Sequence, residues 1–315
     1  MFITILLFLV GFVLITKGAD IFIDCAVDIG KKANISEMVL GATIVSFATT
    51  LPELTVSTFA AIDGHTTMSL GNAVGSIICN TGLVLGLIVF ISPFRVDKNM
   101  FLSKSTILII SIILLLILGF DGNISRVDGI ILLTMFLVYM YSNYKSVAND
   151  NKDSRSIKTK SSILEWIKVL FIFLVGLVMM VFGSRLLVNN GSIIAESVGI
   201  PQSVISLTVI ALGTSLPELV SSITAIRKKH HAISVGNILG ANILNIVSVI
   251  GISSMVNDIS ILSQNIKIDF PFMILLILTL ILPTIKNRKL YRLQGLMMLI
   301  TYFIYIGVLY FLYIG

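Results

Sequence analysis

The chain carries very little charge for its length. Of its 315 residues only 12% are Asp, Glu, Lys or Arg, while 56% are hydrophobic and the mean hydropathy is +1.03. A soluble globular domain has about 25% charged residues, so the composition excludes that class and indicates a polytopic membrane protein. The net charge of +6 does not indicate a nucleic-acid ligand, because nearly all the cations lie in short loops between apolar segments.

Cysteines and catalytic motifs are equally scarce. Cys25 and Cys79 are the two cysteines, and they lie in different apolar segments, which disfavours a disulfide framework, so both are interpreted as small buried side chains. The sequence has no serine elbow, HExxH, Walker loop or dinucleotide-binding GxGxxG, which excludes nucleotide use and hydrolysis. We therefore predict that the chain is not an enzyme and needs no cofactor.

Long apolar runs are what the chain has in abundance. Since a spanning helix needs about 20 apolar residues, ten segments qualify, at roughly 2–29, 36–61, 68–92, 101–119, 127–142, 164–194, 200–226, 232–256, 268–285 and 293–314. One long polar stretch, from Asn143 to Ser162, separates the fifth from the sixth and is predicted to be a solvated linker. The predicted division is a first half at 1–142, a linker at 143–163 and a second half at 164–315.

The two halves are related by a tandem duplication. The stretch Thr49-Thr50-Leu51-Pro52-Glu53 returns as Thr214-Ser215-Leu216-Pro217-Glu218, an offset of 165 residues. The same offset places Gly71-Asn72 on Gly236-Asn237, and Asn80 on Asn245. Five spans per half is an odd number, so the second half must enter the membrane inverted relative to the first. Inverted repeats are the architecture of secondary transporters, which bind substrate near the midplane.

The distribution of cations orients the chain in the membrane. If the N-terminus is outside, 18 of the 22 Lys and Arg residues fall in cytoplasmic loops or their flanks, and only Arg126 and Lys267 fall on the other side. Lys17 and Arg185 lie within spans. The positive-inside rule then predicts a cell-membrane protein with both termini outside.

The repeated motif places a carboxylate and a proline inside an apolar span. A carboxylate there costs about 2.5–3.5 kcal/mol on insertion scales, so Glu53 and Glu218 need compensation. Hydroxyl, carbonyl and amide oxygens lie near them in the sequence, and this ligand set suits Ca²⁺ or Na⁺. Proline also removes a helical hydrogen bond, so we expect the carbonyls of Ala48 and Gly213 to face a cation.

Two alternatives remain for the asparagines of the third and eighth spans. Asn72 and Asn237 stand between glycines at helical spacing, which favours close helix packing over direct ligation. Asn80 and Asn245 recur in spans expected to cross the Glu-bearing helices, which favours a site role over simple helix–helix bonding. Ion pairs of the carboxylates with Lys17 and Arg185 are the structural alternative, but those bases do not occupy matching positions in the two halves.

At these residues the chain resembles the calcium/cation antiporter superfamily, in particular the prokaryotic sodium/calcium exchangers. The resemblance rests on (Gly/Ala)-Thr-(Thr/Ser)-Leu-Pro-Glu followed by Gly-Asn-x-x-Gly in each half. It implies an all-α integral membrane protein with ten transmembrane helices, arranged as two inverted five-helix repeats with broken helices at the midplane. It also implies a central Ca²⁺ site and flanking Na⁺ sites formed by Glu53, Glu218, Thr49, Thr214, Thr50, Ser215, Ser46, Ala211, Ser76, Asn80 and Asn245.

Three positions depart from the family pattern. Ala241 occupies the position equivalent to Ser76 of the first half, so the second half contributes no side-chain hydroxyl ligand at this position of the predicted site. Asn245 is acidic in several relatives, including those similar to potassium-dependent exchangers, so its neutral amide weakens the case for K⁺ cotransport. Ile77 replaces an Asn that the second half keeps as Asn242.

The leading hypothesis is an electrogenic, K⁺-independent antiporter that exchanges Ca²⁺ for Na⁺ by alternating access. Its predicted partners are the two ions and the lipid bilayer, with no nucleic acid and no obligatory protein partner. The alternative with the same fold is a Ca²⁺/H⁺ exchanger in which protonated glutamates replace bound Na⁺. Two other classes are rivals. A membrane-embedded enzyme with a glutamate as general base is disfavoured by the missing nucleophile, and a channel is disfavoured by the inverted repeats with broken helices.

Overall fold

The computed structural model describes residues 1–153, 162–199 and 213–313, and these residues are almost entirely helical. The first half contains six helical segments: α1 Phe2–Ala33, α2 Glu37–Thr49, α3 Leu51–Ile62, α4 Thr66–Ile91, α5 Lys98–Leu118 and α6 Arg126–Asp153. The second half contains five: α7 Ile163–Ser197, α8 Leu216–Arg227, α9 His231–Val256, α10 Asn265–Asn287 and α11 Arg292–Tyr313. The prediction of an all-α membrane protein is confirmed.

Most of the predicted spans correspond to helices of the right length. Within the described ranges, eight helices are long and apolar enough to cross a membrane, and α2 with α3 forms a ninth candidate bent by 43°. The seventh predicted span, 200–226, lies partly outside the described residues, and its described part contains α8. The ten-helix repeat therefore stays a prediction.

The two half-chains meet in an antiparallel crossing of their first long helices. Gly11 of α1 lies against Gly183 of α7, and Gly18 lies against Gly176, so closely that a Cβ atom on Gly18 would stand 2.8 Å from the Gly176 carbonyl oxygen. These glycines exchange under the 165-residue offset. Because small residues let helix backbones approach, the contact is built from equivalent surfaces of equivalent helices running in opposite directions.

Four two-residue strands tie the loops together at opposite ends of the bundle. The pairs are β1 Phe94–Arg95 with β4 Lys289–Leu290, and β2 Asn123–Ile124 with β3 Ile259–Ser260, both antiparallel. The 21-residue helix α5 separates β1 from β2 and is about 30 Å long. Since α4 ends next to β1 and α9 ends next to β3, these two equivalent helices also run in opposite directions.

Helices α4 and α9 form the centre of the protein. In their most apolar windows 72% of α4 and 94% of α9 is buried, compared with 22% of α1. Parallel to α9, α2 packs so closely that a Cβ atom on Gly240 would stand 2.8 Å from Ala42 Cα. The Glu-bearing helices α3 and α8 both contact this central pair, whereas α1 and α7 are the less buried helices outside it.

The boundary of the predicted linker differs from the structure. Helix α6 continues past residue 142 to Asp153, and Asn143 is buried and accepts a hydrogen bond from Lys104. Lys104 is one of the 18 cations predicted to lie in cytoplasmic loops or their flanks, but it is 1% exposed and lies beside the ring of Tyr139. The sequence does not reveal this burial, because a lysine near the end of an apolar segment has the same sequence context whether it is exposed or buried against a polar partner.

Candidate functional site

Each half-chain carries the same break in a helical span. Thr50 (φ −81°, ψ −4°) separates α2 from α3, and Ser215 (φ −87°, ψ 2°) stands at the equivalent place before α8. Pro52 and Pro217 are then the second residues of their helices, a position where the missing N–H disturbs little. The duplicated sequence therefore produces duplicated backbone geometry, with a glutamate in the first turn after each break.

Glu53 and Glu218 are both 0% exposed. None of their four carboxylate oxygens has a hydrogen-bond partner within the described part of the chain, and neither residue forms an ion pair there. Leaving a buried charged group unpaired costs far more than a typical net hydrogen bond contributes. A bound cation would remove this cost.

The amides of Asn80 and Asn245 are also buried without partners among the described residues. Each asparagine is the first residue of a π-helical turn, Asn80–Leu85 in α4 and Asn245–Ile250 in α9. The first turn packs against α8 and the second against α3, so each asparagine segment meets the Glu-bearing helix of the other half. Single π-helical turns inside α-helices are frequent at functional sites, and both asparagines fit the predicted site.

Asn72 and Asn237 bridge the two halves instead of presenting free amides. The Asn72 side-chain oxygen accepts from Thr214 (3.3 Å), and its amide donates to Ser57 (2.9 Å) and to the Glu53 carbonyl (3.3 Å). In the matching bridge, Asn237 accepts from Thr49 (3.2 Å) and donates to Ser221 (3.3 Å) and Ser222 (3.2 Å). Of the two alternatives left open by the sequence, these contacts favour helix packing over direct ligation.

The remaining predicted ligands line the same region. Ser46, Thr50 and Ser76 are buried, and Ser76 lies 3.4 Å from the buried Ser215, oxygen to oxygen. The Thr50 hydroxyl has no partner within the described ranges, while Thr214 is half-buried and reaches a cavity. Ala241 is buried and offers no side-chain ligand. Ala211 lies outside the described residues.

The two carbonyls that the prolines leave without a helical donor differ in their contacts. The Gly213 carbonyl accepts a hydrogen bond from the Ser184 hydroxyl of α7 at 2.7 Å, which replaces the donor that Pro217 removes and leaves one lone pair of the oxygen for another ligand. The residue equivalent to Ser184 in the first half is Ala19, which has no hydroxyl. The Ala48 carbonyl therefore lacks this particular donor, and the two breaks are chemically unequal.

Sequence reasoning missed the serines that hold the bridges together. The 165-residue offset maps Ser57 onto Ser222, and this recurrence of a hydroxyl four residues after each glutamate is a signal that could have found the pair. Ser184 and Thr81, which accepts a hydrogen bond from Asn242 at 2.8 Å, have no polar counterparts in the other half. Symmetry therefore offers no clue to either.

The donor set indicates which ions fit the site. It combines two carboxylates with amide and hydroxyl oxygens, and the described residues contain no group of three or more His, Cys, Asp or Glu side chains placed to hold a metal ion together. Hard cations such as Ca²⁺ take oxygen ligands of this kind, whereas zinc and copper sites use imidazole or thiolate. Either one divalent or two monovalent cations would neutralise Glu53 and Glu218.

Comparison with known proteins agrees with this chemistry. The family model described as sodium/calcium exchanger protein matches residues 3–145 and 168–311. The sodium/calcium exchanger MaX1 of Methanosarcina acetivorans is 28% identical over 344 residues, covering 98% of both chains, and the inner membrane protein YrbG of Escherichia coli is 32% identical, covering 79% of both. A solved structure of the sodium-calcium exchanger NCX_Mj, soaked with Na⁺ and Ca²⁺, superimposes with a TM-score of 0.84 at 32% identity and covers 98% of both chains.

Proposed function

The chain belongs to the sodium/calcium exchanger protein family, and from this premise we propose that it is a secondary antiporter that exchanges Ca²⁺ for Na⁺ across the cell membrane. The observation that carries the proposal is the pair of fully buried glutamates, whose four oxygens have no partner in the described part of the protein. Ca²⁺ and Na⁺ are the transported substrates, and the proposal includes no catalysis, cofactor or protein partner.

Electrostatics explains how two carboxylates couple the ions. An empty site carries two negative charges, and moving it through a medium of low dielectric constant is unfavourable. One Ca²⁺ or at least two Na⁺ removes that barrier, so the site crosses when either load is bound. Exchange follows because the two loads compete for Glu53 and Glu218, with Asn80, Asn245 and the nearby hydroxyls and carbonyls completing the coordination.

The packing of α1 and α7 supports a route for alternating access. The two helices have 32 and 35 residues, cross at paired glycines and lie outside the buried central pair. At the glycine crossing no side chains interdigitate to resist sliding of one helix along the other. In inverted-repeat transporters, alternating access usually comes from motion of one repeat or bundle against the other. We propose that α1 and α7 move together across the Glu-bearing core and expose the site to one side at a time.

Transport is expected to be electrogenic and independent of K⁺. If more than two Na⁺ exchange for one Ca²⁺, net positive charge moves with Na⁺, and neither Asn80 nor Asn245 supplies an anion to cancel it. A potential is worth about 2.3 kcal/mol per charge per 100 mV. In proteoliposomes loaded with Na⁺, an inside-positive potential should therefore accelerate uptake of external Ca²⁺, and replacing K⁺ by choline without ionophore should leave uptake unchanged.

The same assay separates this proposal from its closest alternative. Liposomes without protein, and proteoliposomes with no Na⁺ on either side, serve as controls. Ca²⁺ uptake driven by a pH gradient in the absence of Na⁺ would contradict the proposal and favour the Ca²⁺/H⁺ exchanger. Uptake that does not respond to potential would contradict electrogenic exchange.

The proposed orientation places both termini outside. Asn99 follows β1 and Asp121 precedes β2, and both are exposed at opposite ends of α5. In a background lacking Cys25 and Cys79, Asp121→Cys should react with an impermeant maleimide in intact cells, and Asn99→Cys should react only after permeabilisation. Labelling in the reverse pattern would invert the orientation, and labelling of both in intact cells would contradict the spanning assignment of α5.

A further inference from the structure

Two neighbouring cavities lie between α7 and the helix breaks at Thr50 and Ser215. One of about 180 Å³ reaches Pro52, Pro217 and Thr214 from the α7 residues Ser184, Arg185, Val188 and Asn189. The other, of about 260 Å³, continues along α7 past Val181 to Pro52 and Thr55. Pro52 lines both cavities, while Pro217 and Thr214 line the smaller one, so the cavities lie beside the two helix breaks. The buried glutamates next to these prolines in the sequence do not themselves line the cavities.

Arg185 is the one charged residue among those lining the two cavities, and it lines both. Its side chain is exposed, and within the residues that the structure describes it takes part in no ion pair. The residue equivalent to Arg185 in the first half is Asp20, which pairs with Arg227 at 2.5 Å. The positive charge therefore stands at only one of two equivalent places.

We propose that Arg185 is a specificity-determining residue that disfavours the binding of divalent relative to monovalent cations at the site beside these cavities. Coulomb energy is proportional to the charge of the approaching ion, so a fixed positive charge opposes Ca²⁺ twice as strongly, in free energy, as it opposes Na⁺. Because a half-saturating concentration depends exponentially on the binding free energy, removing the charge should change the value for Ca²⁺ by the square of the factor for Na⁺. The inference rests on the proposed function, because it assumes that Ca²⁺ and Na⁺ compete for Glu53 and Glu218.

A purely structural role for Arg185 makes a different prediction. An arginine stem packed on Val181 and Val188 would matter through its shape, so its loss would affect both ions alike. A guanidinium paired with a site carboxylate would be buried, whereas Arg185 is exposed and Glu53 and Glu218 are 0% exposed. The charge-dependence of the effect on the two ions therefore distinguishes an electrostatic role from packing and from ion pairing.

The test is equilibrium binding to detergent-purified full-length protein at constant ionic strength. For Arg185→Gln we expect the half-saturating Na⁺ concentration to fall by about threefold and that of Ca²⁺ by about tenfold, because the factor for a divalent ion is the square of the factor for a monovalent ion. Arg185→Lys keeps the charge and should behave as wild type. Lys17→Gln removes the other cation within a span, on α1 and away from the residues that line these cavities, and should change neither value.

Each other outcome has a defined meaning. Equal shifts for the two ions, or the same effect from Arg185→Lys, would overturn the electrostatic role, and so would unchanged binding in Arg185→Gln. Absence of competitive Ca²⁺ and Na⁺ binding in the wild-type protein would instead contradict the proposed function. The two failures are therefore distinguishable.

Discussion

Replacing Glu53 or Glu218 by glutamine is expected to remove most Ca²⁺ binding while leaving the protein folded. The amide has nearly the same shape as the carboxylate but no charge, so each variant would halve the negative charge that faces the ion. Removing one member of a buried charge pair costs about 2–5 kcal/mol, which corresponds to a loss of affinity of about 30-fold to several thousandfold. Calorimetry on detergent-purified protein would measure it.

Glu165→Gln is the matched control for these variants. Glu165 is 57% exposed and pairs with Lys32 at the surface, so its replacement should leave Ca²⁺ affinity unchanged. Size-exclusion profiles and helical circular dichroism of all three variants should match wild type. Unchanged affinity in either buried-glutamate variant would remove that residue from the centre of the proposed site.

Removal of the bridging amides is expected to have the second-largest effect. Asn72→Ala and Asn237→Ala would each release a threonine of the opposite half and leave a pair of buried donors and acceptors unmatched. Groups that orient metal ligands typically contribute about 10- to 100-fold to affinity, and we expect a loss in that range. Asn99→Ala, at an exposed asparagine, is the control and should bind normally.

A double-mutant cycle separates positioning from general destabilisation. Thr49→Val and Asn237→Ala remove the two partners of one bridge, so their effects on Ca²⁺ affinity should be clearly less than additive. Thr49→Val combined with Asn72→Ala affects two different bridges and should be closer to additive. Additive losses in the first pair, or a reduced thermal stability with normal affinity, would contradict a positioning role for Asn237.

The sequence predicted the elements of this site much better than the contacts between them. Apolar length identified the helices and the 165-residue offset identified equivalent residues, because both are one-dimensional patterns. The offset does not indicate which helices are in contact. The hydrogen bond that Asn237 accepts from Thr49 of the other half was therefore not predictable. Ser184 was missed for a different reason: Ala19 occupies the equivalent place, so duplication carries no trace of the hydroxyl that binds the Gly213 carbonyl.

Lys104 illustrates the opposite error, in which a sound rule was applied to the wrong residue. A charged residue near the end of an apolar segment usually lies at the membrane surface, and the positive-inside rule counts it with the adjacent loop. In the structure this lysine is enclosed by Asn143 and Tyr139 inside the bundle. Seventeen cations remain on the side predicted to be cytoplasmic, so the predicted orientation does not depend on it.

The glycine crossing of α1 and α7 has the form of an isologous dimer interface within a single chain. Gly11 meets Gly183 and Gly18 meets Gly176, while the duplication makes Gly11 equivalent to Gly176 and Gly18 equivalent to Gly183. Such a surface is self-complementary, as in a two-fold homodimer where residue i contacts j and j contacts i. A half-length chain bearing these two glycines could therefore pair through this surface with a copy of itself inserted in the opposite orientation, with no second type of interface required.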